Sequence, residues 1–189
     1  MKTFISALLL SSVVFVGSAS AKQYTTFYGG MNWNDVIEAP KVDEETGTLV
    51  GMSVGKTVDS FPNFRVELDA SYRTNDVNLG LINVNHDTTA LMGNVVYDFP
   101  NMFAGGVPYV LGGVGVAHTE MTFENVSLLK VENTDLAWQF GTGIDWTVAE
   151  GVKAGVGYRY FSGPELNVLG TEISDGTNNS AVVSVTFSM

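Results

Sequence analysis

Residues 64–73 read FRVELDASYR, with Phe64, Val66, Leu68, Ala70 and Tyr72 at even positions and Arg65, Glu67, Asp69, Ser71 and Arg73 at odd ones. A period of two is the mark of a β-strand whose two faces meet different surroundings. The alternation recurs along the chain and predicts eight strands, at 23–33, 47–58, 64–74, 88–99, 108–119, 135–147, 152–161 and 180–189. In the sixth, Leu136, Trp138, Phe140, Ile144 and Trp146 oppose Ala137, Gln139, Gly141, Gly143 and Asp145. The first is the least regular, with aromatic residues on both faces. Segments of this length cross a hydrocarbon layer as tilted strands, which takes about 9–11 residues.

The connections alternate in length. Longer ones at 34–46, 75–87, 120–134 and 162–179 take turns with shorter ones at 59–63, 100–107 and 148–151. Short periplasmic turns and long outside loops are the pattern of an outer-membrane barrel. The predicted fold is therefore all-β: an eight-stranded antiparallel up-and-down transmembrane β-barrel with both termini on the periplasmic side.

Periodicity does not say which face points inward, and a soluble lipocalin-like barrel would bury the apolar face. The glycines decide the orientation. Gly51, Gly55, Gly113, Gly115, Gly141, Gly143, Gly155 and Gly157 all share the polar parity. Glycine weakens a strand unless space is scarce or a bend is needed, and a narrow eight-stranded lumen is where space is scarce. The polar face is thus expected inside and the apolar face in lipid. Phe64, Tyr97, Phe99, Trp146 and Phe187 near the short turns, and Trp33, Tyr72, Trp138 and Tyr160 near the long loops, then form two interfacial girdles.

The N-terminus sets the compartment. Met1 and Lys2 precede a mostly apolar run at 4–16, and Ala19-Ser20-Ala21 has the small-x-small form of a signal-peptidase site. Residues 1–21 are read as a cleaved signal peptide and 22–189 as the barrel domain, which points to the cell outer membrane. The chain has no cysteine, which excludes disulfides and thiolate metal sites. Twenty acidic residues stand against nine basic ones, one of them Lys2, which disfavours a nucleic-acid partner.

Sorted by parity, Arg65, Arg73, Lys153 and Arg159 point into the lumen beside Glu67, Asp69, Asp98 and Asp145. Charges taken out of water persist when paired and hydrogen-bonded, so these eight are expected to form a salt-bridged plug, with Asn94 and Gln139 completing its hydrogen bonds. The other acids fall mainly in the long connections: Asp35, Glu38, Asp43, Glu44 and Glu45, then Asp76 and Asp87, then Glu120, Glu124, Glu132 and Asp135, then Glu165, Glu172 and Asp175, opposed by Lys41 and Lys130. They read as a solvated loop surface or as a contact for divalent cations, lipopolysaccharide or a basic partner. No spacing matches a defined calcium loop, and no cofactor or metal site is predicted.

Catalytic motifs are weak. His86 and His118 fall at outer strand ends, read as solvated, without a nucleophile elbow or zinc spacing around them. A serine–histidine lipid deacylase would have to recruit Ser127 or Ser71.

The chain resembles the OmpA-like small barrels grouped as outer membrane protein β-barrel domains, which include opacity-type porin-family proteins and bacterial surface antigens. The resemblance is carried by FRVELDASYR at 64–73, LMGNVVYDF at 91–99, PYVLGGVGV at 108–116, AWQFGTGID at 137–145 and GVGYRYF at 155–161, in the order of that family's third to seventh strands. It implies a non-enzymatic barrel of a Gram-negative bacterium. Its expected contacts are outer-membrane lipid and lipopolysaccharide, the barrel-insertion machinery, and a host or cell-surface partner reached through the loops. Two further readings stay open: a narrow gated channel for small solutes, and a lipid A modifying enzyme. The sequence departs from the family in ending Phe187-Ser188-Met189 instead of on an aromatic residue, and it carries no peptidoglycan-binding domain.

Overall fold

A computed structural model describes residues 22–33, 46–78, 83–100, 103–124, 130–164, 166–168, 171–174 and 176–189. The strands are β1 (Gln23–Trp33), β2 (Gly47–Val58), β3 (Phe61–Asn78), β4 (Asn83–Asp98), β5 (Val107–Glu124), β6 (Lys130–Ala149), β7 (Val152–Ser162), β8 (Leu166–Val168), β9 (Thr171–Ser174) and β10 (Thr177–Ser188). Eight of them close into a barrel in the order β1-β10-β7-β6-β5-β4-β3-β2, while β8 and β9 pair only with each other. Every barrel pair is antiparallel, and the seam joins Tyr24 opposite Ser188 through Trp33 opposite Asn179. The predicted signal segment 1–21 and the first long connection at 34–45 lie outside the described residues.

The outward row carries Phe27, Val50, Leu91, Val114, Leu136 and Val183, with Leu136 78 % and Val114 71 % exposed. An apolar belt around a whole barrel far exceeds the patches that soluble monomers show. It is the surface of a strand set that meets hydrocarbon, and it removes the lipocalin-like alternative, in which these side chains would be inside. Aromatic rings border the belt. Phe61, Phe64, Tyr97 and Phe99 form a chain of contacts at 6.1, 5.0 and 5.1 Å near the short-turn end, and Trp138 meets Tyr160 at 5.3 Å near the other.

Local sequence sets the short turns. Ala104 (φ 50°) and Gly105 (φ 77°) both adopt left-handed conformations in the tight turn closed by Phe103 and Gly106. Two consecutive positive φ values match the right-handed twist of a hairpin, and glycine takes the second at no steric cost. Trp146 Nε1 donates to the Ala104 carbonyl at 3.0 Å and fastens this turn to the neighbouring strand.

Two expectations need correction. The connections predicted at 75–87 and 120–134 are mostly strand: β3 and β4 pair as far as Asn78 opposite Asn83, and β5 and β6 as far as Thr122 opposite Lys130. Alternation fades there because beyond the membrane the outward face meets water while the inward face stays polar, so both faces carry polar residues and no hydropathy period is imposed. Asp87, Glu120, Glu132 and Asp135 accordingly stand on strands. The last connection, predicted at 162–179, contains the β8–β9 hairpin and the start of β10.

The lipid assignment is directly testable. Val183→Arg, at the middle of β10, is expected to lower the unfolding free energy in bilayers by about 2–4 kcal/mol, the depth-dependent cost of a lipid-facing arginine. Equilibrium unfolding from lipid vesicles measures it, and a change below about 0.5 kcal/mol, the range of an ordinary surface substitution, contradicts the assignment.

Candidate functional site: a filled lumen

The inward row of β3 carries most of the lumen's charge. Arg65 is its hub: Nη2 lies 2.7 Å from Asp98 Oδ1 on β4 and 3.7 Å from Asp145 Oδ2 on β6, and Nη1 lies 3.5 Å from Glu67 Oε1. Three carboxylates from three strands thus share one guanidinium. Toward the outer side, Arg159 on β7 reaches across the barrel to Asp69 Oδ2 at 3.1 Å, and the Asp69 side chain is fully buried. Arg73 and Lys153 share the inward parity but lie in no ion pair among the described residues. Arg73 instead donates from Nη1 to Ser71 Oγ at 2.9 Å and lies 4.0 Å over the Phe161 ring. Asp69 is already engaged by Arg159, which is why the four positive and four negative groups do not pair one to one.

The sequence reading missed three tyrosines. Tyr24 and Tyr28 on β1 and Tyr109 on β5 all project inward and are buried. Tyr24 donates to Glu67 Oε1 at 2.7 Å, and Tyr28 donates to Asp69 Oδ2 at 2.8 Å. Their rings also cover the arginines, Arg159 over Tyr28 at 3.9 Å and Arg65 over Tyr24 at 5.2 Å and Tyr109 at 5.7 Å. Glu67 and Asp69 each accept from a phenol and face a guanidinium, which offsets the loss of water around buried charge. The signal that could have found them is glycine. A Cβ at Gly51 would sit 2.4 Å from the Tyr28 ring, at Gly55 2.5 Å from Tyr24, and at Gly143 2.6 Å from the Tyr109 hydroxyl. These three glycines are notches cut opposite the rings.

Apolar layers fill the remaining width. Val96, Tyr109 and Leu111 form one; Ala90, Met92, Ala117, Ala137 and Phe161 another; Tyr28, Leu49 and Val182 a third. The inward face is thus less uniformly polar than parity implied. Asn94 and Gln139 do not join the ion pairs: Gln139 Nε2 donates to Asn94 Oδ1 at 2.7 Å, forming a separate bridge between β4 and β6. The free space between Arg65 and Arg159 is on the order of one or two water molecules.

The two histidines differ. His86 lies on the inward parity of β4, where burial pushes its imidazole below the ordinary pKa and nearby Asp87 opposes the shift; it is not simply solvated. His118 lies on the outward parity, 2.7 Å from Thr134 Oγ1 through Nδ1 and 3.4 Å from Glu120 Oε1 through Nε2. Ser71 is inside the barrel wall and His118 outside it, so these two cannot form a catalytic pair; Ser127 lies outside the described residues. The donor atoms of His118, Glu120 and Glu132 fall within 4.8 Å of one another, a set of ligand types that suits a divalent metal.

A closed eight-stranded barrel with an apolar exterior and a filled polar interior is now in view, and the sequence matches the outer membrane protein beta-barrel domain over residues 6–188. The chain belongs to this family. Outer membrane protein beta-barrel domains lie in the cell outer membrane, in contact with its lipid. Among solved structures, the Neisserial surface protein A is similar with a TM-score of 0.66 at 14 % identity, over 88 % of this chain and 97 % of that one. A major outer membrane protein from Thermus thermophilus gives 0.59 at 10 % identity, over 90 % and 100 %. The attachment invasion locus protein of Yersinia pestis, solved with the heparin analogue sucrose octasulfate, gives 0.54 at 10 % identity, over 89 % and 98 %. At these identities the likeness establishes the fold alone. No curated protein sequence matches.

If the cross-barrel pair ties the walls together, Arg159→Met is expected to cost about 3–5 kcal/mol by leaving Asp69 buried without its counter-charge. Adding Asp69→Leu to it should restore much of that loss. Unfolding titrations of the single and double variants read the coupling directly, and additive losses would refute it.

Proposed function

We propose that this outer-membrane barrel is a sealed scaffold whose task is surface contact, with a structural, adhesive or antigenic role, and that the eight charges at Arg65, Glu67, Asp69, Arg73, Asp98, Asp145, Lys153 and Arg159 serve to close the lumen. The observation that carries this reading is the hub at Arg65, where three carboxylates and two tyrosine rings occupy the cross-section that a solute would need. Aqueous channels belong to barrels of about 16–18 strands, whose interiors side chains cannot fill. The outer hairpins of β3–β4 and β5–β6 supply the contact surface, and their carboxylates favour a basic partner or cation-bridged lipopolysaccharide. Two proteins of similar fold are named for surface exposure and attachment; the strongly acidic balance of the present chain disfavours a sulfated polyanion as its own partner. Insertion by the barrel-assembly machinery and cleavage after Ala21 are part of the same proposal.

Planar-bilayer recording tests closure. Wild-type protein is expected to give no stable single-channel steps, whereas stable steps whose amplitude changes in Arg65→Ala or Glu67→Ala would establish a gated channel instead. Lipid A composition is expected to be unchanged on overexpression; trimming that disappears in His118→Ala would make the protein an enzyme.

A further inference from the structure

The outer mouth of the lumen holds a second kind of charge arrangement. Arg65 and Arg159 each face a carboxylate, at 2.7 and 3.1 Å. Arg73 is buried to the same degree, yet among the described residues no carboxylate lies within ion-pair distance of it: Nη1 is used by Ser71, the face lies on Phe161, and Nε and Nη2 have no hydrogen-bond partner. A buried guanidinium without a counter-charge is among the costlier arrangements in a protein interior.

The charged groups nearest Arg73 are Arg159 and the Asp69 carboxylate that Arg159 already engages; the residues that line the space beside Arg73 are neutral. Register places Arg73 opposite Thr88, and Asn75 opposite His86, on the same inward face. Together with Thr119, Phe161 and, around the start of β10, Gly176, Thr177 and Asn178 they line a small cavity, and none of the described residues around it carries a carboxylate. Asn75 Nδ2 and His86 Nε2 are also buried without hydrogen-bond partners; the imidazole nitrogen donates in the tautomer protonated there. Three N–H-bearing side chains from two adjacent strands therefore line one space to which no described residue contributes a carboxylate. That space is on the order of a single water-sized body.

We propose that this outer vestibule is a binding site for one small inorganic anion of halide size, held by the Nε and Nη2 edge of Arg73 and by Asn75 and His86. The anion supplies the counter-charge that the lumen's carboxylates give to the other two arginines. The stacked Phe161 ring keeps the guanidinium plane fixed, so its edge donors stay directed at the site. Larger oxyanions are excluded by size, which distinguishes the site from one for phosphate or sulfate.

The test uses the full mature barrel, refolded in detergent micelles in gluconate buffer and titrated with sodium chloride at constant ionic strength. Chloride is expected to broaden the chloride-35 NMR signal and to raise the thermal midpoint, both saturably. Arg73→Met keeps the length and packing of the side chain and should raise the half-saturating concentration at least about tenfold, the loss of one charge-assisted contact. Lys153→Met, at the opposite end of the lumen, should leave it unchanged. Should Arg73→Met fail to refold, Asn75→Leu serves as the second variant, with an expected weakening of about threefold or more for one lost neutral donor. A response that does not saturate, an equal response in Arg73→Met or Asn75→Leu, or equal binding of sulfate would each overturn the proposal.

Discussion

A sheet placed in hydrocarbon cannot leave an edge, because each unpaired backbone amide or carbonyl there costs several kcal/mol and finds no water. The seam between β1 and β10 removes that edge, and most of the molecule follows from it. Closing after eight strands fixes a cylinder so narrow that inward side chains must share its width. Where a tyrosine crosses, the facing residue is a glycine, as at Gly51 beneath Tyr28 and Gly55 beneath Tyr24. The glycines, which weaken an isolated strand, are what lets this barrel be filled.

Filling with charge adds a second requirement. A guanidinium moved from water into the lumen stays ionised when carboxylates and phenols replace its hydration shell. Arg65 meets this with Asp98, Glu67 and Asp145, and Arg159 with Asp69. The Arg65–Asp145 and Arg159–Asp69 contacts link strands that are not neighbours in the sheet, so they brace the cylinder across its width, a job the backbone ladder cannot do. The apolar layers around Met92 and Phe161 and around Val96 and Leu111 occupy the levels between the charged ones.

How much of this was legible in the sequence depended on where a residue sits relative to the membrane. Within the bilayer, lipid on one side and a cramped interior on the other impose strict alternation, and β3, β6 and β7 were plain from it. At Tyr24 and Tyr28 the pattern misled, because tyrosine serves equally at a lipid interface and as a buried donor; only the facing glycines tell the two apart. Above the bilayer the pattern disappears, so the outer halves of β3 to β6 read as loops. His86 was nonetheless within reach, since counting in twos from Asn94 places it inside. Partner choice in the lumen was not: Arg73 and Arg159 are equivalent by parity, and strand stagger alone gives Asp69 to the latter.

The length of β6 has a consequence for what the cell's surroundings meet. Its 20 residues, at about 3.3 Å each and a tilt of about 45°, rise roughly 45 Å along the barrel axis, against an apolar band of about 25 Å. On the order of 15–20 Å of hydrogen-bonded wall therefore projects beyond the lipid, as a pedestal instead of a tether. A visitor docking on it finds groups already fixed in space, and the association loses little freedom in ordering them.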